Sequence, residues 1–260
     1  MVDCCISEID FFALSKKCLK ILRKNYSCPG IDGITYKNIK SDFYTHRNKI
    51  WAIIESLLKN ETVTVPRIVE IIDAFKKNRK IYVYNIYERI IQIYVKLKIE
   101  KLVRNHISDC VISHRRGINI SDRYSNFLEI NRDLKILLKI DVRDYYISIC
   151  KNKLYKLLIS IGVCVNTINA VQLLLKHCEY GIPAGNCLSP LLSDFYLTKF
   201  DEKVDVPYLR YNDDMYFLLD NLENTRGYLS RISDELSEIN LKLNEKKISI
   251  IVNPTLANFI

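Results

Sequence analysis

Two adjacent aspartates, Asp213 and Asp214, stand in the middle of PYLRYNDDMYFLLD, a stretch that otherwise reads as two short β segments. That pattern folds as a hairpin with both carboxylates at its tip. A third carboxylate, Asp141, lies near the end of the apolar run ILLKIDV, which suits a buried strand. Charges at strand ends in apolar surroundings are unfavourable unless paired or bound to cations. Two such strand ends side by side make an oxygen site for hard divalent ions, Mg²⁺ first and Mn²⁺ as a substitute. Asp-Asp alone is an ordinary turn signal; the preceding Tyr211 and the apolar segments on both sides make the metal-site reading the sharper one.

Around this feature the second half of the chain reads as a strand, helices near 147–161 and 165–178, and the loop GIPAGNCLSP. The hairpin, a helix over 222–239 and a strand at KKISIIV complete it. Short strands alternating with helices suggest an α+β sheet with helices on one face. The first half is mostly helical. Residues 7–24 form an amphipathic helix with a basic face, 25–33 a turn-rich loop, 37–58 a helix, and 86–107 a long helix. Residues 66–77 mix helical and strand signals, and KKNRK is a basic break.

The 260 residues suffice for one large domain or two intimate subdomains, and 48% apolar content excludes a disordered chain. The formal charge of +9 suits a polyanion such as nucleic acid. Nine cysteines without a C-x-x-C pair, behind an acidic N-terminus with no leader pattern, read as reduced thiols in the cytoplasm. No segment approaches the ~20 apolar residues that span a bilayer, so no membrane partner is expected.

YLRYNDDMYFLL resembles the Y-x-D-D hairpin of reverse transcriptases, in the form found in prokaryotic members. LLKIDVRDYYISI resembles their first palm motif, GIPAGNCLSPLLSDFYLTKFD their G-[IL]-P-Q-G-x-x-x-S-P segment, and INLKLNEKKISII the motif that follows the hairpin. RKIYVYNIYERIIQ is similar to the group II intron-like R-P-L-x-I-P-x-x-x-D-R-x-x-Q. CPGIDGIT and HRRGIN resemble further elements of that lineage. The resemblance spans about residues 25–252. It implies an α+β right-hand polymerase, with mostly helical fingers over 1–132 and a palm over 133–260 whose antiparallel sheet is covered by helices. No thumb is expected, since only 13 residues follow Lys247.

The resemblance also implies roles. Asp141, Asp213 and Asp214 hold two metal ions. Lys247, with Lys246 as its neighbour and rival, neutralises or protonates the leaving pyrophosphate. Arg79, with Lys76 or Lys77, grips the incoming triphosphate, a task suited to a planar guanidinium. Tyr146 excludes a ribose 2′ hydroxyl, with Tyr145 as the competing choice, and Gly185 lets backbone approach the nucleotide. Arg89, Gln92, Arg115, Arg116 and Tyr211 face nucleic acid, Tyr211 equally readable as a core aromatic. One departure stands out: Ala184 occupies the place of the family Gln that contacts nucleotide or template.

The expected activity is RNA-directed DNA synthesis from dNTPs, with RNA template and DNA product as partners. The architecture resembles bacterial defence and abortive-infection enzymes that work with a structured noncoding RNA, and a partner protein or self-association would replace the thumb. Template-independent or protein-primed DNA synthesis by the same site is one alternative. A non-catalytic RNA-binding scaffold is another.

Overall fold

Local signals set the first helix. Ser7 caps α1 (Glu8–Leu22) by accepting the Asp10 N–H, and Glu8 and Asp10 occupy the first turn, where the helix dipole favours acids. The structure, a computed structural model, describes residues 4–23, 29–59, 65–72, 78–115 and 117–259. The helix expected over 37–58 is two: α2 (Tyr36–Ser41), opened by a Thr35–Asn38 capping box, and α3 (Phe43–Leu58). Asp42 between them leaves helical conformation at φ −131°.

The mixed signals after residue 65 resolve to strand. β1 (Arg67–Ile72) pairs antiparallel with β2 (Asn78–Val83), Arg67 opposite Val83 and Ile72 opposite Asn78. β2 lay hidden in the basic break because its first three residues, Asn-Arg-Lys, carry no strand signal. Then follow α4 (Ile86–Arg104), α5 (Ile120–Ile130), β3 (Ile136–Asp141), α6 (Tyr145–Ser148), α7 (Lys151–Ser160), α8 (Val165–Leu175), α9 (Ser189–Tyr196) and α10 (Thr198–Asp201). β4 (Tyr208–Tyr211), β5 (Asp214–Leu219), α11 (Glu223–Glu238) and β6 (Ser249–Val252) complete the order. Pro190 sits in the first turn of α9, where its missing N–H has no helical partner to lose.

The chain forms two compact units, each built from two segments: Met1–Arg104 with Leu154–Leu191, and Asn105–Lys153 with Leu192–Ile260. The contacts thus separate along different lines from a single cut at 132/133.

In the first unit α4 is the central helix, burying Ile90, Ile91, Tyr94, Val95, Ile99 and Val103. Phe11 of α1 meets Tyr94 edge-on at 5.2 Å and stacks on Trp51 of α3 at 6.0 Å. Lys98, buried on the same helix, is neutralised by Asp10 at 2.5 Å, as a buried ammonium requires.

The second unit holds an antiparallel sheet in the order β4-β5-β3-β6. Successive side chains point to opposite faces, and helices cover both faces rather than the one expected. Leu137, Leu209, Tyr216 and Leu218 pack on Tyr124 and Phe127 of α5 and on Phe259. On the opposite face Tyr208 meets Phe200 of α10, Phe217 stacks on Tyr208 at 4.6 Å, and Tyr228 of α11 closes edge-on at 5.7 Å. A strand buried on both faces reads as a continuous apolar run, which is why ILLKID and MYFLL look as they do.

Phe217 has no exposed surface and lies at the centre of that aromatic row. Phe217→Ala is expected to lower unfolding free energy by about 3–5 kcal/mol, read from the urea midpoint at unchanged m-value. A loss under about 1 kcal/mol would mean that the row adds little to the fold.

Candidate active site

The register of β3 against β5 places Asp141 directly opposite Asp214. Like charges facing each other across a ladder are destabilising, so the last rung of this sheet needs a positive charge. Asp213 adds a third carboxylate from the two-residue turn between β4 and β5, whose first residue, Asn212, takes φ +55°. Asn tolerates that left-handed conformation better than most residues. Burial pushes the Asp213 carboxyl up to about 6, and the Asp141 charge adds to the rise. Burial raises Asp214 too, against the pull of Lys139.

Lys247 supplies the positive charge. Its ammonium donates to Asp141 Oδ2, while Asn244 Nδ2 donates to Oδ1 at 2.9 Å. Burial works against the Lys247 charge, but Asp141, backed by Asp214 and Asp213, outweighs it and raises the lysine above its ordinary pKa. A backbone bond from Asn244 N–H to the Asp141 carbonyl, at 2.8 Å, anchors this segment beside β3. Lys246, the rival, is exposed.

Three hard-oxygen donors gathered at one end of the sheet fit a divalent cation. Among the described residues no three His, Cys, Asp or Glu side chains stand in ready ligand geometry. Asp141 is turned instead onto Lys247 and Asn244. A cation drawn to the three carboxylates would compete with the lysine for Asp141.

The two tyrosines after Asp141 separate cleanly. Tyr145 is buried and donates to the Ser193 carbonyl at 2.6 Å, so it belongs to the core. Tyr146 is half-buried, with its hydroxyl 3.5 Å from Ser193 Oγ, and feels the Asp213 charge. Tyr211 is partly buried against the α5 core cluster and lies 6.5 Å, ring to ring, from His114.

Behind the hairpin runs a buried ion network that the sequence reading missed. Arg210 has no exposed surface, yet each nitrogen of its guanidinium is hydrogen-bonded. Nε and Nη2 grip the Asp201 carboxylate at 3.0 and 2.6 Å, Nη2 also reaches the Asp194 carbonyl at 3.0 Å, and Nη1 donates to the Asn212 carbonyl at 3.0 Å. Asp194 in turn accepts from Ser113 at 2.6 Å and lies 3.1 Å from His114 Nδ1. Burial disfavours the Arg210 charge, but Asp201 outweighs it and holds the guanidinium ionised. Arg210 thereby ties the carbonyl of the turn to α10. The available signal was parity: Arg210 falls on the inward-facing side of β4, where a charge demands a partner.

The remaining candidates in the second unit and those in the first fare unevenly. Arg115 was expected to face nucleic acid, but its guanidinium closes its own loop, on Asp109 at 2.7 Å and on the carbonyls of Ile107 and Ser108. Gln92 was expected there too, but it is wholly buried and accepts the Cys187 N–H at 3.0 Å. Its carbonyl oxygen braces the GIPAGN loop from α4. Arg89 on α4 is half-buried, and Arg79 on β2 is exposed opposite Ile71. Lys76, Lys77 and Arg116 lie outside the described residues.

The same loop docks on β2 through the Tyr82 N–H, which donates to the Ala184 carbonyl at 2.8 Å. At Gly185, φ is +98° and a Cβ would stand 2.5 Å from the Tyr82 carbonyl. The close approach that demands glycine here is to the chain's own strand. Asn186 and Ser189 complete the brace, on the carbonyls of Leu174 (3.1 Å) and Pro183 (2.7 Å).

Arg210→Met is expected to destabilise the fold by about 3–5 kcal/mol, because it leaves Asp201 buried and unpaired. The double replacement Arg210→Met with Asp201→Leu should regain most of that loss. Additive losses in a thermal-melt double-mutant cycle would show that the two side chains do not act as a pair.

The chain was compared with known proteins. Residues 71–259 match the model of the family described as reverse transcriptase (RNA-dependent DNA polymerase). No curated protein sequence matches. Three similar solved structures are telomerases of Candida tropicalis. The apo form truncated from its C-terminal domain has a TM-score of 0.52 and 17% identity, over 80% of this chain and 56% of that one. The complex with the TWJ fragment of telomeric RNA gives 0.54 and 17%, over 78% and 44%. The apo form gives 0.50 and 15%, over 78% and 49%. This chain thus spans about half the length of the structures it matches, and at such identities the likeness is one of fold. The family match covers well over half of the chain and runs through the opposed carboxylates, the Y-x-D-D turn and the braced GIPAGN loop. The chain belongs to the reverse transcriptase family, whose domain is an RNA-directed DNA polymerase, a nucleotidyltransferase.

Proposed function

We propose that this chain is the fingers-and-palm core of an enzyme that copies RNA into DNA, extending a 3′ end with deoxynucleotides. The observation that carries the reading is the opposition of Asp141 and Asp214 at the end of β3 and β5, with Asp213 in the adjoining turn. Reverse transcriptase domains generally use divalent metal ions, and here Asp141, Asp213 and Asp214 would hold two Mg²⁺. Bound there, the ions supply Lewis-acid activation of the 3′ hydroxyl and neutralise charge on the leaving pyrophosphate.

The chain's own groups do the rest. Lys247 keeps its proton on Nζ, available for the pyrophosphate oxygen. The half-buried Tyr146 ring excludes a 2′ hydroxyl, so deoxynucleotides are preferred. Arg79, with Lys76 or Lys77, binds the triphosphate.

The upstream motifs favour a prokaryotic, group II intron-like lineage. On that reading the enzyme works in the cytoplasm, in antiphage defence, on a structured noncoding RNA and with a protein partner or second copy. A second reading, synthesis without a template, rests on Ala184, whose methyl group has nothing to offer a base edge.

Primer extension by purified protein with Mg²⁺ and dNTPs, with and without co-purified RNA, tests the proposal. Asp213→Ala with Asp214→Ala should lower the rate at least about 10³-fold, equivalent to the several kcal/mol that metal-held charge stabilisation supplies. Product formation untouched by the double variant would overturn the assignment. Tyr146→Ala should narrow the preference for dNTP over rNTP, whereas Tyr145→Ala should lower stability first. Product whose sequence ignores an added template would favour the second reading.

A further inference from the structure

The first unit carries a cationic cleft on elements that precede residue 71, where the family match begins. It measures about 340 Å³, at the small end of the range of ligand clefts, about 300–1,000 Å³. One wall is the end of α1, with Lys16 and Lys20 one turn apart beside the buried Leu19 and Arg23 at the C-cap. The other wall is Tyr36 and Lys40, one turn apart on α2, with Phe43 at the start of α3. All four cations are exposed, while both rings are half-buried.

Two properties of the cleft point to one kind of ligand. Among the described residues no carboxylate pairs with Lys16, Lys20, Arg23 or Lys40, and none lines the cleft. Four like charges gathered without an acid repel one another, and that repulsion is relieved by a polyanion. The cations share the cleft's lining with two half-buried aromatic rings, and a nucleic-acid strand offers phosphates and flat bases in alternation. In a duplex the base faces are already stacked, so only an unpaired strand has them to offer.

We propose that this cleft is a binding site for an unpaired nucleic-acid strand. Lys16, Lys20, Arg23 and Lys40 take the phosphates, and Tyr36 or Phe43 takes a base by stacking. Such sites tolerate any sequence, because every base has a π face and every link a phosphate. RNA and DNA strands should therefore bind alike. The site does not depend on polymerase activity, so it is testable in the Asp213→Ala, Asp214→Ala background.

The test is fluorescence anisotropy with a labelled oligouridylate and its deoxy counterpart, titrated with the full chain across a salt series. Lys16→Gln, Lys20→Gln and Lys40→Gln together should flatten the slope of log K against log salt by about 2, from about 0.7 per phosphate contact on a single strand. Phe43→Ala should weaken binding about 5- to 150-fold, the worth of one stacked base, at an unchanged slope. Phe43→Leu, which keeps apolar bulk without the flat ring, should weaken binding without lowering the melting temperature. Exposed lysines of the same unit, Lys101, Lys156 and Lys176, changed together to Gln, are the matched control. An equal flattening by the control would reduce the cleft to general charge and overturn the proposal. An unchanged slope in the cleft variant would overturn it as well. Competition by polyglutamate as strong as by oligonucleotide at equal charge would reassign the cleft to acidic protein.

Discussion

A guanidinium with no exposed surface underlies the palm sheet, and the hairpin that carries two of the three carboxylates depends on it. Arg210 must be paired where it lies, because an isolated buried charge is untenable. Asp201 meets it bidentately, and the remaining donors fall on the carbonyls of Asp194 and Asn212. Asn212 is the residue that turns the chain through positive φ. One side chain therefore links the conformation of the turn, the position of α10 and the order of α9.

The second constraint is electrostatic and lies on the other side of the turn. Asp141 faces Asp214 across the ladder, and burial pushes Asp213 up to about 6. Sheet pairing alone would disfavour this end of the strands. Lys247 relieves the repulsion from the segment after α11, held there by Asn244. The same feature that makes the strand ends unfavourable as structure makes them suitable for divalent cations.

Much of the site was legible because it sits where a local pattern changes abruptly. ILLKID and MYFLL are apolar runs of strand length broken only by charge, and the Asp-Asp pair interrupts a hairpin. The loop GIPAGN was legible as a motif but not in its mechanics. Its glycine admits the Tyr82 carbonyl, and Gln92 supports it from below rather than meeting nucleic acid. Arg115 shows the same limit. A basic residue in a loop looks like a phosphate ligand until the carbonyls of Ile107 and Ser108 and the Asp109 carboxylate are seen to hold it. β2 went unread because half of it is polar and its pairing partner supplies what its composition lacks.

The sequence by itself determined β3, β6, the hairpin and the three carboxylates, since apolar runs and turn residues are local and act over a few positions. It also determined the family, through motifs whose order survives where overall identity is low. Only the tertiary structure decided which of two adjacent tyrosines lies in the core, which of two lysines reaches Asp141, and that Arg210 is a buried anchor rather than a surface charge. Those outcomes depend on partners up to about a hundred residues away, as with Lys247 and Asp141. A side chain's burial is set by what folds over it, which no local pattern encodes.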